Sequence, residues 1–546
     1  MAYLPGSLTS KCELTGEEFG VSPGEISFSK EKNLPPPRRS ESERLRSLLA
    51  FVPDLDWIRN QQWRSFYQTS STIDSDYRPL PPFYFSSDNF TPILGTRENE
   101  KINLSNDNAQ NERSFIEKFY SLYENYVRQL EKNDATPPFN PFNLFLCQNI
   151  NHSAECIACS SLTECYDCLF CSDSINLYFS RDSHNCNNSY FLESCTNCSN
   201  CLFCSFLNGK SYHIFNEPVS KDEYQQALAS LHLGSAVRLE SARERFEMFL
   251  IQRPLPSQSS INSVSSTGNY FNNCKNSREI LLSMGLINSE VSLFSSGKIE
   301  NSFSLTCCNN HILECSLCAL ANGHLERCIT TFSCIGNLSS VEYSIACEDS
   351  ANLFGCVGLR GKEFCILNIQ YNKSDFFNIR SHIISELQST GHYGSFFPAR
   401  FSPVPYNASL AGILFPLGKV QAQMFGYIWD DQREKSENLI KKYLKNNEDA
   451  RFSQGETPPD SSKYLCEISG TEFEICAEER SICEHLGVAL PARSPQQRFY
   501  ERLKSLQLGR KRFSKCPITN EIFSTWYQGP RPLLSREGFA KVCGQR

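Results

Sequence analysis

The stretch Cys186-Asn187-Asn188-Ser189-Tyr190-Phe191-Leu192-Glu193-Ser194-Cys195-Thr196-Asn197-Cys198-Ser199-Asn200-Cys201-Leu202-Phe203-Cys204 decides how this chain is read. Extended upstream, it places Cys159, Cys168, Cys186, Cys195 and Cys204 on one nine-residue grid, with Leu177 in the vacant place. Cys147, Cys156, Cys165 and Cys201 lie on a second grid. Two steps of nine make eighteen residues, a length that suits one coil of a β-solenoid. A neutral thiol is small and apolar enough to stack inside such a coil. Asn185, Asn187, Asn188 and Ser189 supply turn chemistry at its bends. A fixed repeat implies stacked units, none of which buries its own face.

A second array runs from about Asn269 to Cys365, with looser coils near nineteen to twenty-one residues, although Cys347, Cys356 and Cys365 recover the step of nine. Both arrays end alike: Gly209-Lys210-Ser211-Tyr212-His213-Ile214-Phe215-Asn216 matches Gly361-Lys362-Glu363-Phe364-Cys365-Ile366-Leu367-Asn368. A helical segment follows each array. Lys221 to Ile251 carries Tyr224, Leu228, Leu231 and Leu233, and Asp375 to Leu387 carries Phe376, Ile379, Ile383 and Ile384. Phe115, Phe119, Leu122, Tyr126 and Leu130 have helical spacing, which predicts a helix packed on, or capping, the first array. Pro137, Pro138 and Pro141 mark one linker, and Pro458 and Pro459 another.

The two ends are copies of one module. Cys12-Glu13-Leu14-Thr15-Gly16-Glu17-Glu18-Phe19 and Cys466-Glu467-Ile468-Ser469-Gly470-Thr471-Glu472-Phe473 share five of eight residues. The match runs on without a gap, pairing Pro37 with Pro491, Arg39 with Arg493 and Ser40 with Ser494, into a helix starting near Arg44 or Arg498. Cys-x-x-[Ser/Thr]-Gly is half of a zinc-ribbon knuckle, with a hydroxyl where the second thiolate belongs. Cys516-Pro517-Ile518-Thr519 repeats the substitution. Zinc takes four thiolate or imidazole ligands, so the reading is a ribbon-like module without metal. The alternative borrows Cys476, Cys483 or His485 to join Cys466 and Cys516.

The ordering of these pieces resembles an uncharacterised family of cysteine-rich solenoid proteins with terminal zinc-ribbon-like modules, from candidate-phylum bacteria with small genomes. Those proteins carry a terminal Cys-x-x-Cys-Gly ribbon and Cys- and Asn-rich repeats ending in Gly-Lys-x-Tyr-x-Ile-x-Asn. They also carry a block similar to Gly394-Ser395-Phe396-Phe397-Pro398, Tyr406-Asn407, Phe415-Pro416-Leu417 and Gly426-Tyr427-Ile428-Trp429 here. The resemblance implies the architecture and no activity.

The expected fold is mainly β: a Cys/Asn-rich right-handed β-solenoid in two arrays, with helical insertions and degenerate zinc-ribbon-like modules at both ends. The segments are an N-terminal module (1–75), a linker and capping helix (76–143), the first array (144–216) and a helical insertion (217–260). The second array (261–374), a helix with the Gly/Phe/Pro block (375–450), a linker (451–465) and a basic C-terminal module (466–546) complete the chain. A length of 546 residues suggests three to five units.

Net charge is −7, but from Glu501 onward ten Lys or Arg face three Asp or Glu, which makes the last segment a basic tail on an acidic body. Met1 to Pro5 has no basic start and no apolar run follows it, so the expectation is a cytoplasmic protein whose 27 cysteines stay reduced. No apolar run is long enough to span a bilayer.

Four chemistries were weighed. Cys195-x-x-Cys198-x-x-Cys201-x-x-Cys204 approaches a ferredoxin run, but on extended coils residues three apart should face different ways. Carboxylates of a carbohydrate-active enzyme could come from Asp167, Asp173, Asp182 and Glu193, or from Glu314, Glu326, Glu342, Glu348 and Asp349, none in a repeating motif. His152, His184 and His311 lie near cysteines, as a thiol nucleophile needs, but so many of both types meet by chance. Nucleic-acid binding has the fullest set: Arg510, Lys511, Arg512 and Lys515 beside Trp526 and Tyr527, followed by Arg531 and Arg536. Phosphates attract Lys and Arg, and bases stack on aromatic faces. Arg38, Arg39, Arg44 and Arg46 with Trp57 and Trp63 form a smaller version. The resulting expectation is a non-enzymatic scaffold with no catalytic residue, metal or cofactor. Its partner is a protein or ribonucleoprotein complex, with RNA or single-stranded nucleic acid as a further candidate, held by the basic module. A carbohydrate-active enzyme, or a metal or iron–sulfur protein, is the alternative.

Overall fold

The computed structural model describes residues 8–54, 114–130, 148–257, 338–434 and 463–543, apart from isolated positions, together with short strands between 260 and 306. Cys147, Trp57, Trp63, His311, Glu314, Glu326, Glu348, Cys476 and most of the Pro-rich linkers lie outside the described residues. Strands, most of them paired in parallel, are interspersed with helices.

From Gln148 onward, each strand pairs in parallel with the segment twelve residues later. Four columns carry this register. One joins Ser160, Ser172, His184, Thr196 and Asn208, and another joins Tyr166, Tyr178, Tyr190 and Leu202. A third runs through Leu169, Arg181, Glu193 and Ser205, and the fourth through Thr163, Ile175, Asn187, Ser199 and Ser211. The register step is therefore twelve, not eighteen.

The underlying unit is three residues. Every third side chain is buried: Cys156, Cys159, Leu162, Cys165, Cys168, Cys171, Ser174, Leu177 and so on to Leu207. The residue before each is left-handed, with φ near +50° at seventeen positions from Glu155 to Phe206. Nine and twelve are both multiples of three, which is why the cysteines fall on a nine-residue grid. Left-handed φ strains an L-residue by roughly 1–2 kcal/mol. Asn, Asp and Ser tolerate it and fill many of these sites.

This winding turns backbone groups inward, and the buried side chains bond to them. Cys156, Cys159, Cys186 and Cys204 donate to carbonyls two residues earlier, at 3.2–3.4 Å. Cys159, Cys168 and Cys171 also reach the carbonyl nine residues later, at 3.3–3.5 Å. Ser174, Ser180 and Ser189 accept from the N–H twelve residues later. Thiol and hydroxyl thus do more than fill space.

The aromatic residues at left-handed positions also stack. Phe179, Phe191, Phe203 and Phe215 form a ladder with ring centroids 4.8–5.0 Å apart. The helix Ala236–Ile251 lies along it, with Phe246 against Phe191 and Phe203, and Arg243 over Phe179. The helix Lys221–Ser230 precedes it, so the single helical segment of the sequence is two helices. The last step of the array is closed by Asn216, whose side-chain amide accepts from the Ser205 N–H and donates to the Ser205 carbonyl, both at 2.8 Å. Asn368 closes the second array on Val357 in the same way. That pairing is the physical content of the shared terminal motif.

The second array repeats the register: Ser339, Ala351 and Glu363 pair at steps of twelve. Earlier strands pair at steps of eleven, twelve and thirteen. Among the described residues the strands of this array step by eleven to thirteen, not by the nineteen to twenty-one residues of the sequence reading.

The described residues gather into two compact units. One combines residues within 8–54 and 114–130 with 260–429, and the other combines 148–257 with residues within 430–543. Each end module thus shares a unit with the array farther from it in sequence. The helix Phe115–Leu130 forms as its spacing predicts, but it packs on the second array, with Phe115 on Tyr343 and Phe354. Phe119 lies against Phe397 and Phe401 of the Gly/Phe/Pro block. Among the described residues no helix is long and apolar enough to cross a membrane.

If inward side chains must donate, Cys195→Ser should lie within about 1 kcal/mol of the parent. Cys195→Ala, which leaves the Glu193 carbonyl without its 3.5 Å thiol partner, should lose about 1–3 kcal/mol. Urea unfolding of the two variants decides it, and an alanine variant as stable as the serine one counts against the rule.

Candidate functional site

The C-terminal module is built on a three-residue polar core that occurs three times. Cys466 starts a turn closed by the Gly470 N–H on its carbonyl at 2.8 Å, and Cys12 and Gly16 do the same. At Cys516 the closing residue is Asn520, left-handed like the two glycines. Beside each thiol stand the knuckle hydroxyl (Thr15, Ser469 or Thr519) and the serine that precedes the next helix (Ser40, Ser494 or Ser535). Burial pushes all three thiols up, but hydrogen bonds from these hydroxyls and backbone groups outweigh it and hold them below the ordinary value, Cys516 at about 6. A lone thiol with one hydroxyl beside it at Cys12 and Cys466, and two at Cys516, is a poor donor set for zinc. The residues that could have completed a site are placed elsewhere: Cys483 is buried beside Tyr166, and His485 lies 3.7 Å from Glu164. Among the described residues no group of three or more His, Cys, Asp or Glu is placed to hold a metal.

The module contains more than the expected hairpin, loop and helix. Between hairpin and helix lies a further helix, Ala477–Leu486, matched by Pro23–Glu31 at the other end. It supplies a carboxylate to the helix that follows. Arg498 pairs with Glu479 at 2.6 Å, and Arg44 pairs with Glu25, nineteen residues apart in sequence in both cases. Arg493 pairs with Glu467, as Arg39 pairs with Glu13.

Arginines of the helix Pro495–Ser505 then enter the first array. Arg498 reaches Glu155 at 2.7 Å, and Arg502 bonds both Glu155 and Asp167, which Arg243 also holds at 2.5 Å. Arg531 bonds Glu193 at 2.6 Å beside Arg181 at 2.8 Å. Burial raises the Asp167 and Glu193 carboxyls, but the facing guanidiniums outweigh it and hold both below the usual range. In the other unit, Arg380 bonds Glu342. Asp167, Glu193 and Glu342 are therefore committed to ion pairs, and no pair of free carboxylates is offered for glycoside chemistry by these three. Asp173 accepts from Ser172 at 3.0 Å, and Asp182 from Ser194 at 2.7 Å.

His184 bridges Ser172 at 2.8 Å and Asp182 at 3.4 Å, the residue types of a hydrolytic triad. All three are at most 3% exposed, which leaves no approach for a substrate. Cys195, Cys198, Cys201 and Cys204 do face one interior, contrary to the expectation from extended coils. Their thiols are engaged with backbone carbonyls at 3.3–3.5 Å. Burial pushes the Cys195 thiol well up, while hydrogen bonds from Cys186, Cys195 and Cys201 draw Cys198 down.

The predicted nucleic-acid residues divide. Trp526 and Tyr527 are 1% and 5% exposed, and Arg531 is buried against Glu193, so these three cannot meet a nucleic acid. Tyr527 packs in the core with Leu255, Leu533 and Leu534, and the strand Ile522–Tyr527 is buried on both faces at its end, which takes in Trp526 as well. Arg510, Arg512 and Lys515 are exposed and Lys511 partly so, all on the strand Leu508–Lys515, and Arg536 is exposed at the start of the last helix. The sequence reading missed Phe513, 41% exposed between Arg512 and Lys515, and the exposed Ile522 opposite Lys515. Period-two alternation within the strand was the signal for Phe513. At the other end, Arg39, Arg44 and Arg46 are paired with Glu13, Glu25 and Glu43.

Compared with models of protein families, with curated proteins and with solved structures, the chain matches none.

The buried pairs set a pH dependence. A carboxyl lowered in the folded state adds stability above its unfolded value, near 4, and that contribution disappears as pH falls through the folded value. Thermal stability should drop on acidification below about pH 4, and Asp167→Asn should flatten that acid limb. Arg502→Met, which strips Glu155 and Asp167 of a shared partner, should cost about 3–5 kcal/mol at neutral pH. Melting curves across pH for the parent and both variants check the two statements together.

Proposed function

We propose that this chain is a non-enzymatic binding scaffold whose basic C-terminal hairpin grips single-stranded RNA or a ribonucleoprotein. The four parallel columns are read as the sides of one right-handed β-solenoid, three residues to a side. The twelve-residue register and the inward position of every third residue support that reading. The end modules are read as zinc-ribbon-like folds in which hydroxyls replace the metal. Every described cysteine is a free thiol, which suits a reducing compartment.

One observation carries the binding role: the strand Leu508–Lys515 presents Arg510, Lys511, Arg512 and Lys515 around an exposed Phe513. Cations track a phosphate backbone, and an aromatic ring among them offers a base a stacking surface. The buried pairs behind this strand fix it to the array, so the basic face sits on a rigid support.

Fluorescence anisotropy with a short single-stranded RNA across a salt series tests the proposal. The triple variant Arg510→Ala, Lys511→Ala, Lys515→Ala should reduce the salt slope by about 2, at ~0.7 per phosphate contact. Phe513→Ala should weaken binding by about 1–3 kcal/mol with the slope unchanged. A parent protein that does not bind RNA, or a triple variant with the parent's slope, removes the assignment.

A further inference from the structure

The two units are built from matching parts, so each residue of one can be compared with its counterpart in the other. The helix after each array ends in the same turn: His392-Tyr393-Gly394-Ser395 in one unit and His232-Leu233-Gly234-Ser235 in the other. In both, the Ser N–H donates to the His carbonyl, at 3.1 and 2.9 Å. The end module packs on this turn each time. The Ala489 N–H donates to the Leu233 carbonyl at 2.8 Å, and Leu34, the counterpart of Val488, lies against Gly394.

In the unit holding the first array this junction is filled by apolar side chains. Leu231, Leu233, Val488 and Ala489 are buried in one apolar cluster. In the other unit it is hollow. Gly391 stands in the place of Leu231, and Arg38 stands in the place of Ala492. The Arg38 guanidinium lies over Gly391, where any Cβ would overlap it, and Gly391 has φ +69°. Beside it opens a cavity of about 200 Å³. Phe115, Phe119, Tyr343, Phe397 and Phe401 form its aromatic wall, and exposed Arg38 and His392 are also on its lining.

The charges on the lining do not balance. Arg39 is paired with Glu13 and Arg44 with Glu25, whereas Arg38 has no carboxylate within ion-pair distance among the described residues. A cavity of about 150 Å³ already holds a benzene ring. A guanidinium matches a carboxylate through two parallel hydrogen bonds.

We propose that this cavity binds a small aromatic monocarboxylate, its ring against the phenylalanines and its carboxylate on Arg38. The filled junction of the sister unit is the unliganded counterpart of the same joint, which explains why one copy needs a glycine and an arginine where the other needs leucine and alanine.

Titration calorimetry of the full chain with phenylacetate, benzoate and the uncharged benzyl alcohol tests this. At least one of the acids should bind more tightly than the alcohol. Arg38→Gln, an exposed change that leaves every described ion pair in place, should weaken the acid about ten- to a hundredfold and leave the alcohol unchanged. Circular dichroism establishes that the variant is folded. No acid binding up to about 5 mM, well beyond a typical single-site Kd, overturns the proposal, and so does an acid affinity that Arg38→Gln does not alter.

Discussion

The structure rests on a backbone that turns left-handed at every third residue and so points amide and carbonyl groups into its own interior. Buried backbone groups need partners, and short polar side chains in the buried row supply them. A thiol or a hydroxyl one bond from Cβ reaches the carbonyl two residues back, as Cys159 and Ser180 do. Serine also receives the N–H from the next turn, as Ser180 does from Leu192. Cysteine and serine at these sites are therefore set by hydrogen-bond geometry as much as by volume. Leucine enters only at Leu162, Leu177, Leu192 and Leu207 along this row.

A second constraint acts at the edge of the first array. Glu155, Asp167 and Glu193 are buried there, and alone each would be strongly destabilising. Arg498, Arg502 and Arg531 of the C-terminal module neutralise them. Removing water from both partners offsets much of the attraction, so the gain in stability over an apolar joint is small. What the pairs provide is register: Arg498 and Arg502 fix the helix Pro495–Ser505 on Glu155 and Asp167, and Arg531 fixes the segment after the hairpin on Glu193.

Much of this was legible in the residues. The cysteine grid signalled a repeat with its side chains inside, and the alignment of Cys12 with Cys466 signalled duplicated end modules. The coil length was misjudged because a grid of nine is compatible with any step of three, and only strand register separates twelve from eighteen. The twelve-residue recurrence of Phe179, Phe191, Phe203 and Phe215 was present but looked unremarkable, since bulky residues seldom adopt left-handed φ. Trp526, Tyr527 and Arg531 were grouped with the basic cluster because they are near it in sequence. Burial of both faces at the end of the strand Ile522–Tyr527, and the Glu193 partner of Arg531, put them inside. The hollow joint at Gly391 had no signal in either copy alone, and it emerges only when the two are superposed in register.

The crossed composition of the two units has a consequence for biosynthesis. While the ribosome is still producing the middle of the chain, the first array has its ladder, with Arg243 on Asp167 and Arg181 on Glu193, but lacks Arg498, Arg502 and Arg531. The N-terminal module likewise waits for a docking turn centred on Gly394, several hundred codons downstream. A product that stops before Arg498 would hold Asp167 and Glu193 by Arg243 and Arg181 alone, and Glu155 without Arg498 and Arg502. The unit built on the first array is thus completed only by segments synthesised after residue 429.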